Sequence, residues 1–347
     1  MKKSKQDFAG IPPAPAPLPD AEVIDIQSLY EDLRVKKVEL VCVLGPTASG
    51  KTRYAVNLAK KFNSLAGKPV AEILSADSRQ VYKGLDIGSG KDLEEYGEIP
   101  VHLLDLLPAG GNFNLYDYCK AFRKAFDRVA ENGGIPILCG GTGLYIEAAV
   151  KGYKLPLVAP DEELREELES LDTVELAKRL ESLSVEVKAE TLLSRRRMIR
   201  AIELAESELK TLPSDEDDDF DNSAIKTFFI GTLVDKETRN KLIDKRLDKR
   251  LGIVSTDVDG SFAFEGDEGG ALVSEVRGLL ESGVQASSLI AYGLEYKFVT
   301  LFLQGVLSFP EMRKLLGIAI HQFAKRQMTW FRGMERRGEK IHWTCTN

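Results

Sequence analysis

The stretch GPTASGKT, residues 45–52, constrains this chain more than any other. It matches GxxxxGK[ST] in full through Gly45, Gly50, Lys51 and Thr52. Before it stands the apolar run ELVCVLG (39–45), and after it Ala55, Leu58, Ala59 and Phe62 recur at helical spacing. A strand, a tight glycine turn and a helix, in that order, make successive backbone N–H groups converge on phosphate oxygens at a helix N-terminus. Gly45, Pro46, Thr47, Ala48, Ser49, Gly50, Lys51 and Thr52 are therefore read as a phosphate cradle, with Lys51 as a point charge and Thr52 as a ligand for Mg2+. The motif says polyphosphate and leaves open which one.

The pattern around the cradle sets the fold. AEILSA (71–76), VHLLDLL (101–107), IPILCGG (135–141) and AIKTFFIGTLV (224–234) read as further strands. Leu115, Tyr118, Cys119, Phe122, Phe126 and Val129 form one stripe of a long helix. Apolar runs separated by helices imply a parallel sheet with crossover helices. The fold class expected is α/β, a P-loop NTPase-like parallel sheet flanked by helices, with an inserted helical domain. Its boundaries read as a flexible Pro-rich arm over 1–34 (with IPPAPAPLPD), an α/β core over 35–151 and a charged helical insertion over 152–212. An acidic loop over 213–223 follows, then a returning strand and C-terminal helices over 224–347. The Gly- and Asp-rich STDVDGSFAFEGDEGG (255–270) reads as a mobile loop, and it lacks the Gly and Glu positions of a calcium loop.

Composition narrows the setting. Four cysteines with no close pair give neither a disulfide framework nor a zinc spacing, which fits a reducing compartment. No run of about 18 apolar residues and no signal-peptide core occur, so a soluble cytoplasmic protein without membrane contact is expected. A net charge of −7 argues against a nucleic-acid partner for the chain as a whole. Charge is uneven, however: SRRRMIR (194–200) and the segment 312–340 concentrate Lys and Arg, with Phe323, Trp330 and Phe331 interleaved.

Two more segments fall at the carboxyl edge of the sheet, where open α/β folds bind ligands. Asp77, in SADSRQVYKGLDIGSGK (75–91), could hold magnesium, cap a helix or act as a general base. GGTGLY (140–145) is a second glycine turn in which Thr142 offers a hydroxyl and an N–H to an anion.

GPTASGKT, ADSRQVYKGLDIGSGK, GGTGLY and AKRQMTWFR (324–332), in that order, resemble the tRNA dimethylallyltransferases, or tRNA isopentenyltransferases, from about residue 38 to 343. The resemblance implies that the cradle holds dimethylallyl diphosphate and that the acceptor is N6 of the adenosine 3′ of the anticodon. It makes Asp77 the base, and gives Lys51, Thr52 with Mg2+, Thr142, Arg246 and Arg250 to the diphosphate, the arginines coming from RLDKR (246–250). Ser78, Arg79 and Gln80 beside Asp77, Arg197 and Arg200 of the insertion, and Lys325, Arg326, Gln327 and Arg332 are implied tRNA contacts; a monomer is expected. The chain departs from the family pattern at KAETLLSR, where a HisProAsnAsp step is usual, and at YGLEYK (292–297), where a GlyTyrLysGlu-like turn is usual.

Three other readings compete. A prenyltransferase of free adenine nucleotides would share the cradle and Asp77, and an RNA-binding paralogue would keep only the scaffold. A small-metabolite kinase would use Lys51 for ATP and Asp105 as a Walker-B-like carboxylate.

Overall fold

The computed structural model describes residues 18–152, 161–183, 189–210, 223–256, 262–266 and 268–346. The chain divides into two compact units, Met1–Gly152 with Ser223–Asn347, and Tyr153–Asn222.

The first unit begins with helix α1 (Ile26–Arg34), strand β1 (Leu40–Leu44), helix α2 (Lys51–Ala66) and strand β2 (Ala71–Ala76). The short strands β3 (Tyr82–Lys83), β4 (Val101–His102) and β5 (Leu107–Pro108) precede helix α3 (Leu115–Glu131), strand β6 (Ile135–Gly140) and helix α4 (Gly143–Lys151). The second unit holds helices α5 (Glu162–Ser170), α6 (Thr173–Ser182), α7 (Ala189–Leu192) and α8 (Arg195–Lys210). Leu164, Leu168, Leu176, Leu180, Met198 and Ile202 form its own core. The chain returns as strand β7 (Thr227–Leu233), helix α9 (Lys236–Arg250), strands β8 (Ile253–Thr256) and β9 (Phe262–Phe264), and helices α10 (Gly270–Glu281), α11 (Ala286–Tyr292), α12 (Leu294–Leu303) and α13 (Phe309–Arg336). Strand β10 (Ile341–Cys345) follows.

Six strands pair in parallel in the order β10-β7-β1-β6-β2-β4. Every residue of β1 and β6 is buried, which is why both read as unbroken apolar runs. On one face, Ala55, Leu58, Ala59 and Phe62 of α2 pack on Val41, Val43, Ile73 and Ile137. On the other, α3 lies against β2 and β6. A capping box of Asn114 and Asp117 fixes the start of α3, and Ser308 with Glu311 does the same for α13. A second apolar cluster joins Ile243, Leu247, Val276, Tyr296, Val299 and Leu316 of the C-terminal helices to Val81 and Leu85, so the segment after β2 rests on those helices.

Four sequence expectations need correction. Residues 26–34 are not part of an extended arm but an amphipathic helix, N-capped by Asp25 and packed through Leu29. VHLLDLL is not one strand: after β4 the backbone turns through left-handed Leu103 (φ 67°) and Asp105 (φ 54°), and Leu107 then pairs with Tyr82. At this turn the buried ammonium of Lys91 pairs with the carboxylates of Asp86 and Asp105. The 255–270 stretch has anchored ends: β8 and β9 pair antiparallel, and Phe262 and Phe264 stack edge-on against Phe309. The sheet also gains β10, whose buried Ile341 and Trp343 alternate with more open neighbours. Residues 1–17 of the arm and 213–222 of the acidic loop lie outside the described residues. Among the described residues no helix is long and apolar enough to cross a membrane.

Candidate active site

The phosphate loop leaves β1 and is held from three directions. Thr232 of β7 sits beneath it: its Oγ1 lies 2.6 Å from Ser49 Oγ, and a Cβ on Gly45 would come within 2.1 Å of the same atom. Gln327 of α13 accepts a hydrogen bond from Thr47 N at 2.8 Å and donates one to Gly141 O at 2.9 Å, so one amide ties both glycine turns together. Thr346 donates to Ser49 O at 2.9 Å. Ala48 (φ 60°) and Gly50 (φ 75°) adopt the left-handed backbone that lets the loop curl into the N-terminus of α2. Lys51 and Thr52 follow at once. Lys51 makes no hydrogen bond or ion pair with a described residue, and burial pushes its ammonium below the ordinary lysine value, against the pull of Cys139 and Asp77. Burial likewise pushes the Cys139 thiol up to about 12, which keeps it neutral beside that lysine.

Asp77 follows β2. Its Oδ1 accepts from Arg79 N at 2.9 Å, and Thr142 Oγ1 accepts from Ser78 N at 3.3 Å, so the ends of β2 and β6 stand together. That closeness needs Gly140, where a Cβ would lie 2.2 Å from Ala76 O. Arg79 places its guanidinium 5.7 Å from the ring centre of Tyr292. Gln80, expected to read substrate, is buried and bonded within the chain: it accepts from Ser75 Oγ at 2.8 Å and donates to Gly90 O at 3.2 Å.

Opposite lies the 84–92 loop, fastened by Glu275. That carboxylate accepts from the amides of Asp86, Ile87 and Gly88 at 2.8, 2.5 and 3.0 Å, and from Tyr296 Oη at 2.9 Å. Against the loop sit Arg246, paired with Asp92, and Arg250, paired with Glu295 at 3.3 Å. Gly90 makes room for both: a Cβ there would lie 2.4 Å from Nη2 of each. Burial pushes Glu295 above the ordinary carboxylate value, with Arg250 pulling the other way.

These elements enclose a cavity of about 740 Å³. Its lining takes in Thr47, Ala48, Gly50, Lys51, Thr52, Asp77, Ser78, Arg79, Gln80, Thr142, Arg246, Arg250, Arg326 and Gln327. Eight lysine or arginine side chains face it against four carboxylates, in a protein whose net charge is −7. The cavity thus suits a polyanion.

Other expected residues fall elsewhere. Gly45, Pro46 and Ser49 shape the loop without lining the cavity. Gln327 is buried with its amide bonded at both ends, so it is not an RNA-facing surface residue. Lys325 is exposed and Arg332 half-buried on α13, both outside the lining. Arg197 is exposed on α8, while Arg200 bonds Glu203 at 3.2 Å beside Arg165, inside the second unit. Asp105 does not line the cavity and pairs with Lys91, so the Walker-B-like carboxylate named for a kinase is not at the phosphate loop. Sequence reasoning missed Thr232, Glu275, Glu295 and Asp92. YGLEYK was the one signal available, since Glu295 and Tyr296 stand where the pattern departs.

The family model for IPP transferase matches residues 80–255 and 267–334, and tRNA dimethylallyltransferase 1 of Parabacteroides distasonis is 45% identical over 89% of this chain and 93% of its own length. The chain belongs to the IPP transferase family. Among solved IPP transferase structures it is similar to the tRNA isopentenylpyrophosphate transferase of Bacillus halodurans, with TM-score 0.58 and 28% identity, covering 88% of this chain and 89% of that one. The Staphylococcus epidermidis tRNA delta(2)-isopentenylpyrophosphate transferase gives 0.57 and 32%, covering 88% and 92%. In this chain of the family, the phosphate loop, Asp77 and the Arg246 and Arg250 pair of α9 line one cavity.

Proposed function

We propose that the chain transfers a dimethylallyl group from dimethylallyl diphosphate to N6 of the adenosine 3′ of the anticodon in tRNA, releasing diphosphate. The observation that carries this reading is the placement of Asp77, Lys51, Thr52, Arg246 and Arg250 around one cavity in a chain of the IPP transferase family. The amine lone pair forms a bond to C1 of the prenyl group as the C1–O bond breaks and its electron pair leaves with the diphosphate. Asp77 takes the proton that N6 loses. Lys51, the loop amides, Thr142 and the two arginines stabilise the charge that grows on the leaving oxygen, and this term supplies most of the acceleration.

Among the described residues no cluster of three or more His, Cys, Asp or Glu side chains is placed to hold a metal ion. Mg2+ is instead commonly held by one or two protein oxygens together with substrate phosphates, and Thr52 at the head of α2 fits that mode. When bound, it neutralises charge on the leaving group. Ser78, Arg79 and Arg326 face the acceptor side of the cavity in this reading, with Lys325, Arg332, Arg197 and Arg200 as outlying RNA contacts. The proposed form is a monomer acting in the cytoplasm, in keeping with a cavity lined from one chain and with a tRNA substrate.

The experiment is transfer of labelled dimethylallyl from its diphosphate, with Mg2+, to unmodified tRNA and in parallel to AMP. Label on tRNA and not on AMP is expected. Label on AMP alone would move the enzyme to free nucleotides, and label on neither would sink the prenyl-transfer reading.

A further inference from the structure

We propose that Trp330 is a stacking platform for an unpaired nucleobase of the RNA acceptor at the mouth of the cavity, an inference that rests on the tRNA acceptor proposed above. Phe323, Arg326 and Trp330 lie three and four residues apart on α13, hence on one helix face, and all three line the cavity. The Arg326 guanidinium carbon is 5.9 Å from the centre of the Phe323 ring. Of the two tryptophans, Trp343 is 3% exposed within the sheet, whereas Trp330 is 38% exposed.

An exposed indole would ordinarily sample several rotamers, but this one is held at its edge and along one side. Its Nε1 donates to Glu147 Oε2 at 2.9 Å. Glu147 is 1% exposed and is itself fixed by Arg337, through contacts of 3.0 and 2.6 Å, and by Lys151 at 3.2 Å. Burial pushes the Glu147 carboxyl up, but Arg337 and Lys151 together hold it below its ordinary value, so it accepts as an anion. Gly143 supplies the space alongside: a Cβ there would lie 2.3 Å from Trp330 Cδ1, next to Thr142 of the reacting centre. The chain has invested a buried, doubly paired carboxylate and a glycine in orienting a ring that is then left partly open.

The occupant that fits is a base. Unpaired RNA bases stack on aromatic rings and on arginine planes, and the cations that accompany them meet the phosphates between. Arg326 lies within this face and Lys325 beside it on the exposed surface of the same helix. A prenyl chain, in contrast, is stabilised by complete removal from water, which an open ring does not provide.

The test uses the full chain with an RNA hairpin carrying an anticodon-type loop, 2-aminopurine being placed in turn at the acceptor adenosine and at each neighbour. Hairpin affinity, hairpin KM and diphosphate affinity are measured for wild type, Trp330→Leu and Trp330→Phe. We expect the wild type to quench the probe at one or more of these positions. Trp330→Leu should lose that quench and weaken hairpin binding about ten-fold, the order expected for one base stack. Trp330→Phe should stay within about three-fold, and diphosphate affinity should not move in either. The platform is overturned if no position is quenched by the wild type, if Trp330→Leu binds the hairpin like wild type, if Phe fails as badly as Leu, or if the loss falls on the diphosphate. Absence of prenyl transfer to any RNA by the wild type is a separate result, and it removes the proposed function itself.

Discussion

Asp77 hydrogen-bonds only the amide of Arg79 among the described residues, and its carboxylate faces a cavity whose other charges are mostly basic. Asp77→Asn retains an oxygen for that amide and should leave the melting temperature unchanged. Turnover should fall by about 10² to 10⁴, the usual range for loss of a general base, as measured by single-turnover transfer to tRNA. Lys51 gives a pH signature. Its ammonium is held below the ordinary lysine value by burial, so it loses its proton at a lower pH than an exposed lysine does. In the proposed reaction the protonated form is the one that binds diphosphate. Hence kcat/KM for the donor should fall on the alkaline side earlier than an unperturbed lysine would allow, and Lys51→Arg, whose charge persists, should remove that limb while lowering the plateau.

At the level of elements, the 84–92 loop carries one wall of the site and depends on two side chains from the C-terminal helices, Glu275 and Tyr296. Glu275→Leu strands three amides and a phenol and should cost about 1–3 kcal/mol in urea unfolding. Gly90→Ala should act differently. The added methyl must displace both guanidinia, so donor KM should rise at least about ten-fold, and the left-handed backbone (φ 66°) adds a cost of about 1 kcal/mol. Most of the sheet is legible in the sequence, because LVCVL and IPILCG are buried throughout and AEILSA at all but Glu72, so they read as mainly apolar runs. VHLLDLL carries the same apolar signal yet breaks, at a turn where Asp105 pairs with a buried lysine from another segment. Helix α1 is obscured by the prolines before it, and β10 by its alternation of buried and more open residues straight after a charged helix. The shape of the phosphate loop is legible, as strand, glycine turn and helix follow one another in a single stretch of chain. The supports are not: Thr232, Glu275 and Gln327 act through partners far away in the chain, and polar residues on charged helices read as solvent-facing until both bonding partners are known.

Across the whole molecule, a net acidic chain presents a basic cavity, so attraction for RNA is local. Hairpin affinity should therefore decline with salt at a slope of about −0.7 per contacted phosphate, and charge removal at Lys325 or Arg326 should flatten that slope while leaving donor KM in place. Gln327 brings the two substrates into one account. A single amide joins the phosphate loop, through Thr47, to the turn before Thr142, and it is carried by the helix that also presents Arg326 and Trp330. In the proposed reaction the loop holds the donor and the helix faces the acceptor, so this amide is a physical link between the two binding sites. Reciprocity requires any factor by which donor changes acceptor affinity to equal the factor by which acceptor changes donor affinity. Gln327→Leu, which cuts this tie, should then change donor KM and hairpin affinity together, as read by titrating each ligand with and without the other.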